Sequence, residues 1–276
     1  MGIFYDSSTS SVLTDSNGGT RLRSMRIVKL PILATLFALS AGMISQASAA
    51  ESSETPQPTK PETRKVRVVY LVSSDRKEDP RYTAAIEHAI KDLQVWYGKQ
   101  LEGPTFLLSD PVVEVVQSDK DTKWIAENPN GERRDDWQYF NTLAEAKRLK
   151  GADHHDPKFI WVIYSDSPGN TGRGGSGVTC LPEDDLLGLV GEHPTQKNKD
   201  RWIAGLGHEL GHAFGLPHPD DTTKDADALM WAGFYTKYRT TAYLTPEDKA
   251  TLLKSPFFYH PDGKPVVSDT TSPAEK

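Results

Sequence analysis

The sequence predicts an α/β sandwich, a sheet covered by long helices, and three observations predict it. Residues 66–73 alternate as a strand does and lead, through Pro80, into an amphipathic helix. Two further strand patterns, at 112–116 and 159–164, flank a second helical pattern at 142–149. A third helix then carries His208, Glu209 and His212 behind a glycine-rich loop.

Each element has a local cause. Pro80 presets the backbone angle of a first helical turn, and Ala85, Ile86, Ala89, Ile90, Leu93 and Trp96 recur behind it at helical spacing. The valines of 112–116 suit a pleated surface, and the nearly unbroken apolar run of 159–164 reads as a strand buried on both faces. Residues 166–177 are too rich in glycine for anything but a loop, after which 178–181 form a short strand. A polar loop reaches the next helix near Asp200. Thr245, Pro246, Glu247 and Asp248 open a last helix with a capping residue, a proline and early acids.

The helix near Asp200 carries the chemistry. His208 and His212 lie four apart, so both imidazoles reach one metal ion from one helix face, and Glu209 can take a proton from water held there. Gly215 allows a left-handed turn after the helix, which returns His218 as a third nitrogen. Three protein ligands leave the fourth position of zinc open, as in a catalytic rather than a closed structural site. By chance these five positions match in a chain of this composition on the order of 10⁻⁵ times. At roughly 100° per residue, Trp202, Ile203, Leu206, Leu210, Ala213 and Phe214 share an arc of about 120°, and the two histidines point away from it.

These residues resemble the metzincin clan of zinc endopeptidases, whose signature is HExxHxxGxxH followed by a methionine-containing turn. The resemblance is sharp over residues 208–231. It implies a metzincin-like twisted mixed sheet with long helices, an active-site helix and a small C-terminal subdomain with a Met-turn. It also implies that His208, His212 and His218 are ligands of one catalytic Zn2+, that Glu209 is the general base, and that Met230 is the turn methionine. Matrixin-like members are the most similar, through the twelve-residue spacing from His218 to Met230. The chain departs from many members in having Pro219 and then Asp220 after the third histidine, and Ala232 where some carry a tyrosine. The clan binds extended substrate along an edge strand, for which residues 177–181 are the candidate, and Phe234, Tyr235, Tyr238 and Tyr243 are candidates for the pocket wall.

Around this core the organisation is simple. Residues 1–24 form a polar extension, and 25–49 read as a signal peptide with Arg26 and Lys29, an apolar core at 30–44 and a small-residue cleavage site at 47–49. A disordered linker spans 50–65, one catalytic domain 66–262, and a disordered tail 263–276. The expectation is a secreted or periplasmic protein with no membrane span after signal removal. Losing residues 1–49 removes four basic and two acidic residues, leaving 28 against 36 and a net charge of −8, which disfavours nucleic acid. The expected partner is a protein or peptide substrate; a non-catalytic zinc-binding module and a zinc amidase acting on a non-protein amide are the alternatives. The lone Cys180 is expected as a half-buried free thiol. His154, His155 and Asp156 read as a solvated turn, and His88, His193 and His260 as surface histidines. Asp166 and Asn170 offer calcium-type oxygen ligands but match no calcium-loop signature.

Overall fold

The structure is a computed structural model that describes residues 63–169 and 171–267. The polar extension, the signal peptide, most of the linker and the end of the tail lie outside the described residues. In chain order the elements are β1 (Lys65–Val72), α1 (Pro80–Gln100), β2 (Thr105–Phe106), β3 (Leu108–Gln117), α2 (Thr122–Glu127), α3 (Trp137–Lys150) and β4 (Phe159–Ser165). They continue with β5 (Arg173–Gly175), β6 (Val178–Leu181), α4 (Glu183–Val190), α5 (Lys199–Ala213), α6 (Gly233–Thr236), α7 (Pro246–Leu252) and β7 (Phe258–Tyr259).

Five strands form one mixed sheet in the order β3-β1-β4-β6-β5. The first four run parallel, and β5 is antiparallel to β6. Alternation along β1 sorts its side chains between two cores. Val66, Val68, Tyr70 and Val72 pack with Ile86, Ile90 and Leu93 of α1 and Leu206 and Leu210 of α5, while Val69 and Leu71 pack with Ile125 of α2 and Leu143 and Ala146 of α3. Helices therefore cover both faces, as parallel strands require. Full burial of each Val, Leu or Ile side chain contributes roughly 1.5–3 kcal/mol against exposure. A second pairing, β2 with β7, brings the C-terminal segment back to the end of α1. It continues past the expected domain boundary, since the Val266 amide donates to Phe258 O at 3.0 Å.

Asp79 caps α1 by accepting from the Arg81 amide at 2.9 Å, with Pro80 next. Thr245 and Asp248 form a reciprocal capping box on α7. The second helical pattern is longer than expected and starts at Trp137, because its buried face there is polar: Asn141 donates to the Ile125 and Asn128 carbonyls at the end of α2. The polar loop after β6 is in fact α4, whose acids crowd the first turn while Leu186 and Leu189 are buried.

Further expectations need correction. The glycine-rich stretch 166–177 contains a strand, β5, and not only loop. Consequently residues 177–181 are not the edge: β6 lies between β4 and β5, and β5 is the edge. The reversal is a two-residue hairpin at Ser176 and Gly177, both with positive φ (50° and 90°), the backbone of a type I′ turn. Cys180 is fully buried inside β6 rather than half-buried, and burial pushes its thiol pKa up. Among the described residues no helix is long and apolar enough to cross a membrane.

Candidate metal centre

Asn198 caps α5 by accepting from the Asp200 amide, and the helix runs through the core with Trp202 to His208 almost wholly buried. It ends in a Schellman closure. The Leu216 amide donates to Gly211 O at 2.9 Å and the Gly215 amide to His212 O at 3.0 Å, with Gly215 at φ 95°. The same bend fixes a candidate ligand, because His212 Nδ1 lies 2.8 Å from Leu216 O. His208 Nδ1 lies 2.8 Å from Leu229 O. A carbonyl only accepts, so both rings carry their proton on Nδ1 and turn the lone pair of Nε2 inward.

Beyond the bend Pro217 and His218 fold back over the helix. The Nε2 atoms of His208, His212 and His218 are 3.1, 3.2 and 3.3 Å apart. These three residues are the one group among the described residues whose ligand atoms converge as a metal requires. The fit to zinc is geometric: a tetrahedral ion at ~2.0–2.1 Å from each nitrogen holds its ligands roughly 3.3 Å apart. It is also electrostatic, since inward lone pairs at this separation repel one another until a cation lies between them. Burial pulls the His208 pKa down to about 3 and lowers that of His212, which keeps both rings neutral, the form that binds metal.

The surroundings hold the rings. Met230 is fully buried against the helix at Gly211, where a Cβ would come within 2.3 Å of its sulfur. The Phe234 ring lies 4.6 Å from that of His208, and the Trp231 ring 5.5 Å from that of His218. Glu209 is half-buried on the same helix. Burial, reinforced by the charge of Asp185, pushes its pKa up to about 8, against the opposing pull of the Gly174 amide, Arg201 and Arg173. The edge strand β5 presses on this turn so closely that a Cβ on Gly174 would lie 1.8 Å from Glu209 O.

The structure thus brings together the three histidines of the motif, with Glu209 on the same helix. It does so only in part for the aromatic wall. Phe234 and Tyr235 border the cavity beside Glu209, whereas the Tyr238 hydroxyl donates to Asp92 at 2.6 Å and that of Tyr243 to Asp225 at 2.7 Å. Asp156 caps the turn before β4, accepting from the Lys158 and Phe159 amides and Trp161 Nε1. Asp166 accepts from the Ser73 amide and hydroxyl, and Asn170 lies outside the described residues. His193 is not a plain surface histidine: it is half-buried, its ring 4.7 Å from that of Trp202 and its Nδ1 accepting from the Gln196 amide. Sequence reasoning missed Arg201 and Asp185, which also line the cavity. A signal for Arg201 was available, since on the helical wheel it falls between His208 and His212.

No family model matches this chain, and no curated protein matches it. Among solved structures its fold is similar to that of catalytically inactive OgpA from Akkermansia muciniphila in complex with an O-glycopeptide (glycodrosocin) substrate. The TM-score is 0.51 at 18% identity, covering 75% of this chain and 64% of that one. This chain therefore spans less than two thirds of the length of that protein. Archaemetzincin (amzA) from Methanopyrus kandleri aligns with a TM-score of 0.37 at 16% identity, over 68% of this chain and 94% of that one. At such identities the likeness to OgpA concerns the fold alone.

Proposed function

We propose that this chain is an exported zinc-dependent endopeptidase of the metzincin type, with a matrixin-like active-site segment. His208, His212 and His218 hold the ion, Glu209 is the general base, and Met230 is the methionine of the turn beneath it. One observation carries the reading: three imidazole nitrogens converge within 3.1–3.3 Å, two of them with their other nitrogen fixed on a backbone carbonyl. The fold shared with OgpA supports a peptide substrate, and the O-glycopeptide of that complex makes glycosylated peptides the first substrates to test.

A zinc ion held by neutral imidazoles supplies Lewis-acid polarisation of water and of the scissile carbonyl. Glu209 does the proton work. Burial raises its pKa far above that of an ordinary carboxyl, and its ionised form takes a proton from the attacking water and returns it to the leaving amine nitrogen. The unpaired edge of β5 offers N–H and C=O groups to an extended peptide backbone, and Gly174 keeps that edge against Glu209.

The test combines zinc content with cleavage of an unbiased peptide library. Glu209→Gln is expected to keep one zinc per chain and lose turnover by roughly 10³ or more, whereas alanine at His208, His212 or His218 loses the metal. Near-normal turnover of Glu209→Gln refutes the assigned base. Stoichiometric zinc without cleavage of any peptide favours a binding module.

A further inference from the structure

Seven residues before His208, Arg201 stands on the same face of α5, with Gly205 between them at helical spacing. Its side chain is half-buried against three rings. The central carbon of the guanidinium lies 4.6 Å from the ring centroid of Phe234, 4.7 Å from that of Tyr235 and 5.1 Å from that of Trp202. Burial lowers its pKa, and the charge of Asp185 is the largest opposing influence. Gly205 makes the room, since a Cβ there would stand 2.5 Å from Arg201 Nη1. Glycine weakens a helix interior, so this space is not a by-product of helix formation.

Phe234 joins the two ends of this stripe. Seven residues of helix set Arg201 and His208 roughly 10.5 Å apart along the axis, and the Phe234 ring lies 4.6 Å from the guanidinium and 4.6 Å from the imidazole. That ring is poorly held by its own element. It belongs to α6, four residues with no side-chain cap, is half-exposed, and meets the core only at its margin. The flat face of the guanidinium restrains it, stacking on aromatic rings in a way that a compact ammonium does not reproduce. Leu229 O fixes one corner of the His208 ring at 2.8 Å, and Phe234, tilted 42° to that ring, limits its swing. The charge of Arg201 acts in the opposite sense, because it disfavours positive charge at His208. Help from Arg201 in holding a cation must therefore come through packing.

We propose that Arg201 is a positioning residue for the metal centre: its guanidinium plane holds Phe234 against His208 and so sets the direction of the Nε2 lone pair. The assignment rests on the triad binding a metal. It is tested on the full chain by zinc affinity and by the visible absorption of the cobalt-substituted site, which responds to ligand geometry. Arg201→Lys keeps the charge and loses the plane, and is expected to bind zinc about 10-fold more weakly and to shift the cobalt bands. Gly205→Ala keeps Arg201 but displaces its guanidinium, and gives the same two changes in a helix that alanine favours. Phe234→Ala gives them as well, and adding Arg201→Lys to it changes nothing further, because both act through one contact. Parent-like affinity and cobalt bands in Arg201→Lys overturn the assignment, as do additive losses in the double variant. If the parent binds neither ion, the metal reading falls, and the ring contact is read separately by NMR. Magnetisation transfer between the His208 and Phe234 rings that Arg201→Lys abolishes supports the positioning role, and transfer that it preserves overturns it.

Discussion

Two backbone carbonyls, Leu229 O and Leu216 O, turn a histidine pattern into a candidate metal centre by fixing the protons of His208 and His212 on Nδ1. The sequence displays the imidazoles at the right spacing, but the tautomers depend on residues brought in by a helix end and a distant turn. Asp185 is the opposite case. One acid among three in 183–185 gives no sequence signal, yet burial pushes its pKa from 3.8 to about 7, with Asp184 adding to the rise and Arg201 opposing it. Because the folded chain holds that proton more tightly than the unfolded chain, stability from this group is full below pH ~4 and is lost as pH rises through ~7. Asp185→Asn should therefore lose less stability than the parent between pH 5 and pH 8, measured by denaturant midpoints at both values. An unchanged pH dependence would contradict the buried proton.

At the scale of elements, α5 and β5 depend on each other. The strand can lie on the helix only because residue 174 has no side chain, which places an unpaired sheet edge beside Glu209. Gly174→Ala forces a backbone shift and is expected to cost roughly 1–3 kcal/mol, lowering the melting temperature and reducing kcat/KM for extended peptides while the histidines keep their zinc. Unchanged melting and cleavage would show that the contact is not needed. The strongly periodic elements, β1, α1, β4 and α5, were legible in the sequence. α4 and β5 were not, for different reasons. The acids at the start of α4 mask an apolar face of only two leucines, and β5 is made of residues with little strand propensity, held by pairing with β6.

For the whole molecule, an ion held by the triad would tie the end of α5 to His218, while Leu229 O holds His208, so metal binding and folding would be linked thermodynamically. Chelation is expected to lower the melting temperature by on the order of 10 °C in the parent and to have no effect on His208→Ala. Identical melting of the parent with and without chelator would exclude the triad as a metal site. The sequence by itself determined the layered α/β class, the helix that carries the histidines, the bend at Gly215 and the identity of the four motif residues. It could do so because helical periodicity, capping and a metal-ligand spacing are local properties of the chain. Only the tertiary structure decided which strand is the sheet edge, which ring nitrogens face inward, and that Arg201 and Asp185 share a cavity with Glu209. Those outcomes depend on pairing and burial between segments far apart in sequence, and no local pattern encodes the partner that each segment meets.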